Sequence, residues 1–196
     1  MTRAVSAAAV LLVLGGAGCG SSAPATFYAL SPESGAVQPS SFHSVRLRRP
    51  GIAGYLDRPE IVRRIADFRL RIVDTDRWGS PLDEMLGRVL AQDLQQRLPE
   101  TSVFTEDGAI TADADVTIEV DVRRFDVGDS GDVTLVAEVA MEKPATHAPA
   151  GTRAVNLEQM PASAATPALV RAMSDLLGKL ADQIAALLRD GGVAPH

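Results

Sequence analysis

From Asp115 onward the chain alternates apolar and polar residues over a long run. Val116, Ile118, Val120 and Val122 are set against Thr117, Glu119, Asp121 and Arg123. A period of two sends successive side chains to opposite faces of an extended strand, so one face is apolar and the other polar. A partner run carries Val133, Leu135, Ala137, Val139 and Met141 against Thr134, Glu138 and Glu142, with Val136 and Ala140 breaking its polar face. Between the runs, Gly128-Asp129-Ser130-Gly131 reads as a hairpin connection. The apolar face of this hairpin has to be covered; the mixed face is left for solvent or another subunit.

Two helical patterns supply the cover. Ser80-Pro81 opens the first, with Ser80 placed to cap and Pro81 at the first position, where its missing N–H costs nothing. Leu82, Met85, Leu86, Val89, Leu90 and Leu94 then recur at spacings of three and four, giving one apolar stripe that Leu98-Pro99 ends. Thr166-Pro167 caps the second helix. Its stripe is Leu169, Met173, Leu176, Leu177, Leu180, Ile184, Leu187 and Leu188, stopped by Asp190-Gly191-Gly192. A coiled-coil seam also fits that spacing but spans only about three heptads, so core packing is the expectation.

Shorter strand signals fill the rest. Val45 and Leu47 alternate with Arg46 and Arg48 until Pro50-Gly51. Asp57-Arg58-Pro59 reads as a turn, because Pro59 fixes its own φ and pushes Arg58 out of the helical region. Ile61, Val62 and Ile65 follow, then Phe68, Leu70 and Ile72 against Asp67, Arg69 and Arg71, whose basic face reads as a solvated strand face. Val103-Phe104 and Thr152 to Gln159 suggest two more strands, and the Ala- and Pro-rich stretch from Met141 to Gly151 reads as a loop. The fold class is α+β: an antiparallel or mixed sheet of about five or six strands with two amphipathic helices packed on one face.

The N-terminus has the grammar of export. Arg3 is a basic n-region, Ala4 to Leu14 a short apolar region, and Gly16, Ala17 and Gly18 a small-residue cleavage site. The apolar run is shorter than the roughly 20 residues a membrane-spanning helix needs. Cys19 follows directly and resembles a bacterial lipobox cysteine, although Gly16 stands where a lipobox usually carries leucine. The only cysteine of an exported chain cannot form an internal disulfide, and lipidation gives that thiol a reason. Gly20 follows where an aspartate would favour retention at the inner membrane, which points to the outer membrane of a diderm cell. The expected organisation is a signal peptide over 1–18, a lipidated tether over 19–41, a single α+β domain over 42–190 and a tail over 191–196. Within the tether, Phe27-Tyr28-Ala29-Leu30-Ser31-Pro32 reads as a segment that docks on the domain as an edge strand.

Composition narrows the chemistry. A formal charge of −6 falls to −7 when Arg3 leaves with the signal, which removes wholesale attraction to nucleic acid. Aromatic residues, at 4%, are too few for a stacking platform. His43, His147 and His196 have no Cys or carboxylate company at ligand spacing, so neither a metal nor another cofactor is expected. There is no Gly-rich phosphate loop and no Gly-x-Ser-x-Gly elbow. Glu119 and Asp121 share a strand face two residues apart, and a hydrolase would need a second converging element.

Three segments in order carry a family resemblance: Phe27-Tyr28-Ala29-Leu30-Ser31-Pro32, then Tyr55-Leu56-Asp57-Arg58-Pro59-Glu60-Ile61-Val62-Arg63-Arg64, then Arg77-Trp78-Gly79-Ser80-Pro81-Leu82. Behind a lipobox, over roughly residues 19 to 98, this order resembles the ABC-type transport auxiliary lipoproteins. The resemblance implies a non-enzymatic lipoprotein of an intermembrane lipid transport system. Its implied partners are an ABC permease and ATPase and an MCE-domain protein that forms a periplasm-spanning conduit, with this subunit as the conduit's docking point on the periplasmic face of the outer membrane. It also implies a ring-like homo-oligomer. The residues it marks are Cys19 as lipid anchor and Tyr55, Leu56, Asp57, Arg58, Arg77 and Trp78 as partner contacts; Tyr55 and Trp78 read equally well as core-filling aromatics. Two other readings stay open: a solute-binding lipoprotein, and an envelope assembly or scaffold lipoprotein without a transport role.

Overall fold

The computed structural model describes residues 24–65, 68–110, 112–144 and 148–191, the side chains of 148–150 excepted. Cys19, Arg3, His147 and His196 lie outside them. The elements are β1 (Thr26–Tyr28), β2 (Ser44–Leu47), β3 (Gly51–Ile52), β4 (Glu60–Ile65), β5 (Arg69–Trp78), α1 (Leu82–Arg97), β6 (Ser102–Thr105), β7 (Val116–Val127), β8 (Val133–Lys143), β9 (Ala148–Gln159) and α2 (Thr166–Arg189).

The spine is β7. On one edge it pairs antiparallel with β8, and β8 with β9. Its other edge is shared end to end by three short parallel strands: β2 opposite Val116–Ile118, β3 opposite Asp121 and Val122, and β4 at Val127. Beyond β2 lies β6; beyond β4 lie β5 and then the edge strand β1, the last pairing in parallel with β5. The sheet is mixed, with nine strands among the described residues in place of the five or six expected. Four of the nine are strands of two to four residues, of which β3, two residues long, had no signal in the sequence.

Both helices cover one face. Every stripe residue of α1 and α2 is buried, together with the inward residues of β7 and β8, so both stripes serve the core. The capping expectation is corrected by one position. Pro81 itself stands at the N-cap of α1, its carbonyl accepting from the Met85 N–H, while the Ser80 hydroxyl accepts from Arg88 at 2.8 Å. Ala165 is the N-cap of α2, and the Thr166 hydroxyl instead donates to Asp76 and accepts from Arg63.

The loop expected from Met141 to Gly151 is largely strand, since β8 runs to Lys143 and β9 starts at Ala148. The stretch after β1 runs along both helices. Leu30 N–H donates to the Met85 Sδ, Ser31 N–H to the Ser174 hydroxyl and Glu33 N–H to Asp93, and Gln38 N–H reaches the Arg97 carbonyl. Arg97, 2% exposed, ties the three segments together by donating to Glu33 O, Gly178 O and the Asp182 carboxylate.

The apolar residues of the early β5 alternation do not face the core: Phe68 is fully exposed, Leu70 38% and Ile72 39%. Arg63 is the one β4 residue paired with β7, at Val127, so the tip of the β4–β5 hairpin runs on past the end of the spine.

Candidate functional site

The Tyr55-Leu56-Asp57-Arg58-Pro59 stretch fills the gap between β3 and β4 along the spine. Ala53 N–H still donates to Val122 O, after which Leu56 N–H turns back on Ala53 O and Arg58 N–H on Leu56 O. Pro59 offers its carbonyl to the Trp78 N–H at 2.7 Å, which joins the loop to the end of β5. Leu56 and Trp78 are core residues. Arg77 reaches Glu60 at 3.4 Å and the Asp74 carbonyl at 2.9 Å. Asp57 is exposed and Arg58 half-buried, and Arg58 Nε is buried with no hydrogen-bond partner among the described residues. The sequence-marked residues other than Cys19 therefore come together at one place, the loop and the strand end it holds, with two of them facing inward.

Below the loop is a group that sequence reasoning missed. The β7–β8 register shifts between Val122 and Arg124. A bulge inverts the alternation, so Phe125 and Val127 face the core and Asp126 turns to the open side. Asp126 has no exposed surface. It accepts from the Tyr55 hydroxyl at 2.7 Å, Arg124 Nε at 2.9 Å and an Arg64 amine at 3.4 Å, and the Arg64 guanidinium lies over the Tyr55 ring. Burial, then the bond to Asp126, pushes the Tyr55 phenol up to about 12. The available signal was the Arg123-Arg124 doublet, which breaks the period, followed by Phe125 and Val127 on odd numbers.

The sheet face away from the helices carries charges set in pairs. Arg48 bonds Glu119, and Arg123 bridges Asp121 and Glu138. The two carboxylates that raised a hydrolase reading are thus each held by a guanidinium in the open. Arg49 at the edge joins Asp107, Glu84 and Asp83. This is a polar surface of paired charges with the Tyr55 loop at one border.

The fold has close counterparts. A crystal structure of protein XCC0632 from Xanthomonas campestris superposes with a TM-score of 0.73 at 18% identity, covering 85% of this chain and 96% of that one. The crystal structure of an uncharacterized protein gives 0.70 at 19% identity, with 84% and 98% covered. At these identities the likeness establishes the fold alone. No curated protein matches in sequence. The sequence model of the ABC-type transport auxiliary lipoprotein component matches residues 28–185, a span from β1 to the last turns of α2 that takes in the loop, the bulged spine and both helices. The chain belongs to the ABC-type transport auxiliary lipoprotein family.

Proposed function

We propose that this protein is a non-enzymatic, lipid-anchored subunit of an intermembrane lipid transport system. It sits on the periplasmic face of the outer membrane and serves as docking point for an MCE-domain conduit driven by an ABC permease and ATPase. The observation that carries the reading is the family match over residues 28–185. The sequence around Cys19 adds the anchor, and the uncovered face of β7, β8 and β9 adds a surface fit for rigid docking, to the conduit or between copies in a ring. A face whose charges are already paired costs less to bring against a polar partner than one bearing isolated charges.

Within the contact set, Asp57, Arg58 and Arg77 present the exposed groups, while Tyr55, Leu56 and Trp78 hold the loop that displays them. The test is a pull-down of the native lipidated protein in mild detergent. Recovery of an MCE-domain protein with its permease is expected, and Arg58→Ala with Asp57→Ala is expected to reduce that recovery without lowering the thermal midpoint. Recovery only of a barrel protein or of peptidoglycan would support the scaffold reading instead, and a polar small-molecule ligand in a thermal-shift screen would support the solute-binding one.

A further inference from the structure

The β4–β5 hairpin concentrates what the rest of the surface scatters. Of the seven large apolar residues left exposed among the described residues, Phe68, Leu70 and Ile72 fall within five positions of one another. Phe68 holds a backbone φ of +61°, a conformation an aromatic residue rarely takes and one that persists only where it is imposed. The same hairpin carries Arg63, Arg64, Arg69 and Arg71 in a chain of net charge −6. Arg71 has an exposed side chain and no ion-pair partner among the described residues, whereas Arg64, opposite Leu70, is held by Asp126. Exposed apolar side chains flanked by guanidiniums match the two layers of an anionic bilayer surface, acyl boundary and phosphate.

The direction of the chain says what would cover this tip. β1 runs parallel to β5 with Thr26 opposite Asp76, so moving back toward the N-terminus is moving along β5 toward Phe68. Extending that register sets Pro24 level with Asp74, about 20 Å from Phe68 at the rise of a strand. Cys19 stands five residues before Pro24, a reach of about 17 Å. The opposite end of the spine, where Asp115 N–H meets Ser44 O, is far more distant: Val116 lies eleven residues along β7 from Val127, the partner of Arg63, about 36 Å at the rise of a strand. A lipid on Cys19 therefore brings the bilayer to the hairpin end of the molecule and not to the end that carries Ile110.

We infer that the β4–β5 hairpin is a second membrane contact: Phe68, Leu70 and Ile72 enter the interfacial layer, and Arg71 meets the phosphates of anionic phospholipid. The inference rests on the lipid-anchor reading of Cys19. It gives the anchored domain a fixed orientation, because two separate membrane contacts define a tilt that a single one leaves free.

The test uses the full lipidated protein, in which Cys19 sulfur is blocked and a single introduced cysteine is the only free thiol. Phe68→Cys and, as control, Ile110→Cys are labelled with the fluorophore NBD. Each is reconstituted in vesicles of phosphatidylethanolamine and phosphatidylglycerol with and without doxyl-labelled lipid. The expected result is a blue-shifted emission at position 68 that doxyl lipid quenches about two-fold or more, with no quenching at position 110. A protein that floats with the vesicles but shows no quenching at position 68 overturns the wedge and leaves the anchor standing. A shift at position 68 that needs no vesicles and ignores doxyl lipid places the hairpin against protein and overturns it too. A chain that does not float overturns anchor and wedge together.

Discussion

Asp126 is buried on the side of the sheet that the helices leave open, and three donors explain how a carboxylate survives there. Two are guanidiniums and the third is the Tyr55 phenol, which makes the phenol the link between the loop and the spine. Tyr55→Phe keeps the ring and removes the donor, so it should cost about 1–3 kcal/mol in urea unfolding, in the range for a hydrogen bond to a charged group. A variant as stable as the parent would mean the loop is held by Leu56 packing alone. Asp93 supplies a pH-dependent counterpart. Burial raises its carboxyl to about 6, against the opposing pull of the Glu33 N–H and of Arg97. The unfolded chain holds that proton only below about 4. Between these values the folded state binds more protons, so stability rises as pH falls from 7 toward 5. Asp93→Asn lacks the titration, and the thermal midpoint of the parent should gain on that of the variant over this interval; a constant difference would contradict the assignment.

At the scale of elements, the stretch from Leu30 to Gln38, a strap laid along both helices, forms one unit with them around Arg97. A Cβ on Gly178 would stand 2.9 Å from the Glu33 Cβ, closer than packed carbons approach. Gly178→Ala should therefore destabilise by about 1–2 kcal/mol through overpacking, although alanine is the better helix former by about 1 kcal/mol. Faster proteolysis of the segment around Glu33 would accompany the loss, and a more stable variant would show that the strap yields. The helices and the strands of the β7–β8 hairpin were legible because each repeats its pattern over eight residues or more, and the turn between the strands because Gly128-Asp129-Ser130-Gly131 interrupts both runs. β3 was not, since two residues have no period, and neither was the Asp126 site, since a one-residue bulge inverts every later side chain. Arg97 was hidden for another reason: an arginine after an apolar stripe reads as a surface cation until a second helix and a strap close over it. The exposed side of β5 failed because alternation reports which residues share a face and not whether anything lies beneath.

The whole molecule is one α+β body with an open ionic sheet face, and the proposed anchor at Cys19 would hold it to a membrane. The loop residues were found from sequence through the resemblance, and the structure explains why they cluster: β2, β3 and β4 share one edge of the spine, and the chain between β3 and β4 has to bulge out there. Cys19→Ala should move the protein out of the membrane fraction, because the proposed anchor is the acyl chains on that sulfur and a wedge without them binds only weakly. The most direct measurement is intact mass spectrometry of the native mature protein. The account predicts a chain that begins at Cys19 and carries a diacylglyceryl group on its sulfur; an unmodified chain, or one that begins at any other residue, would contradict it.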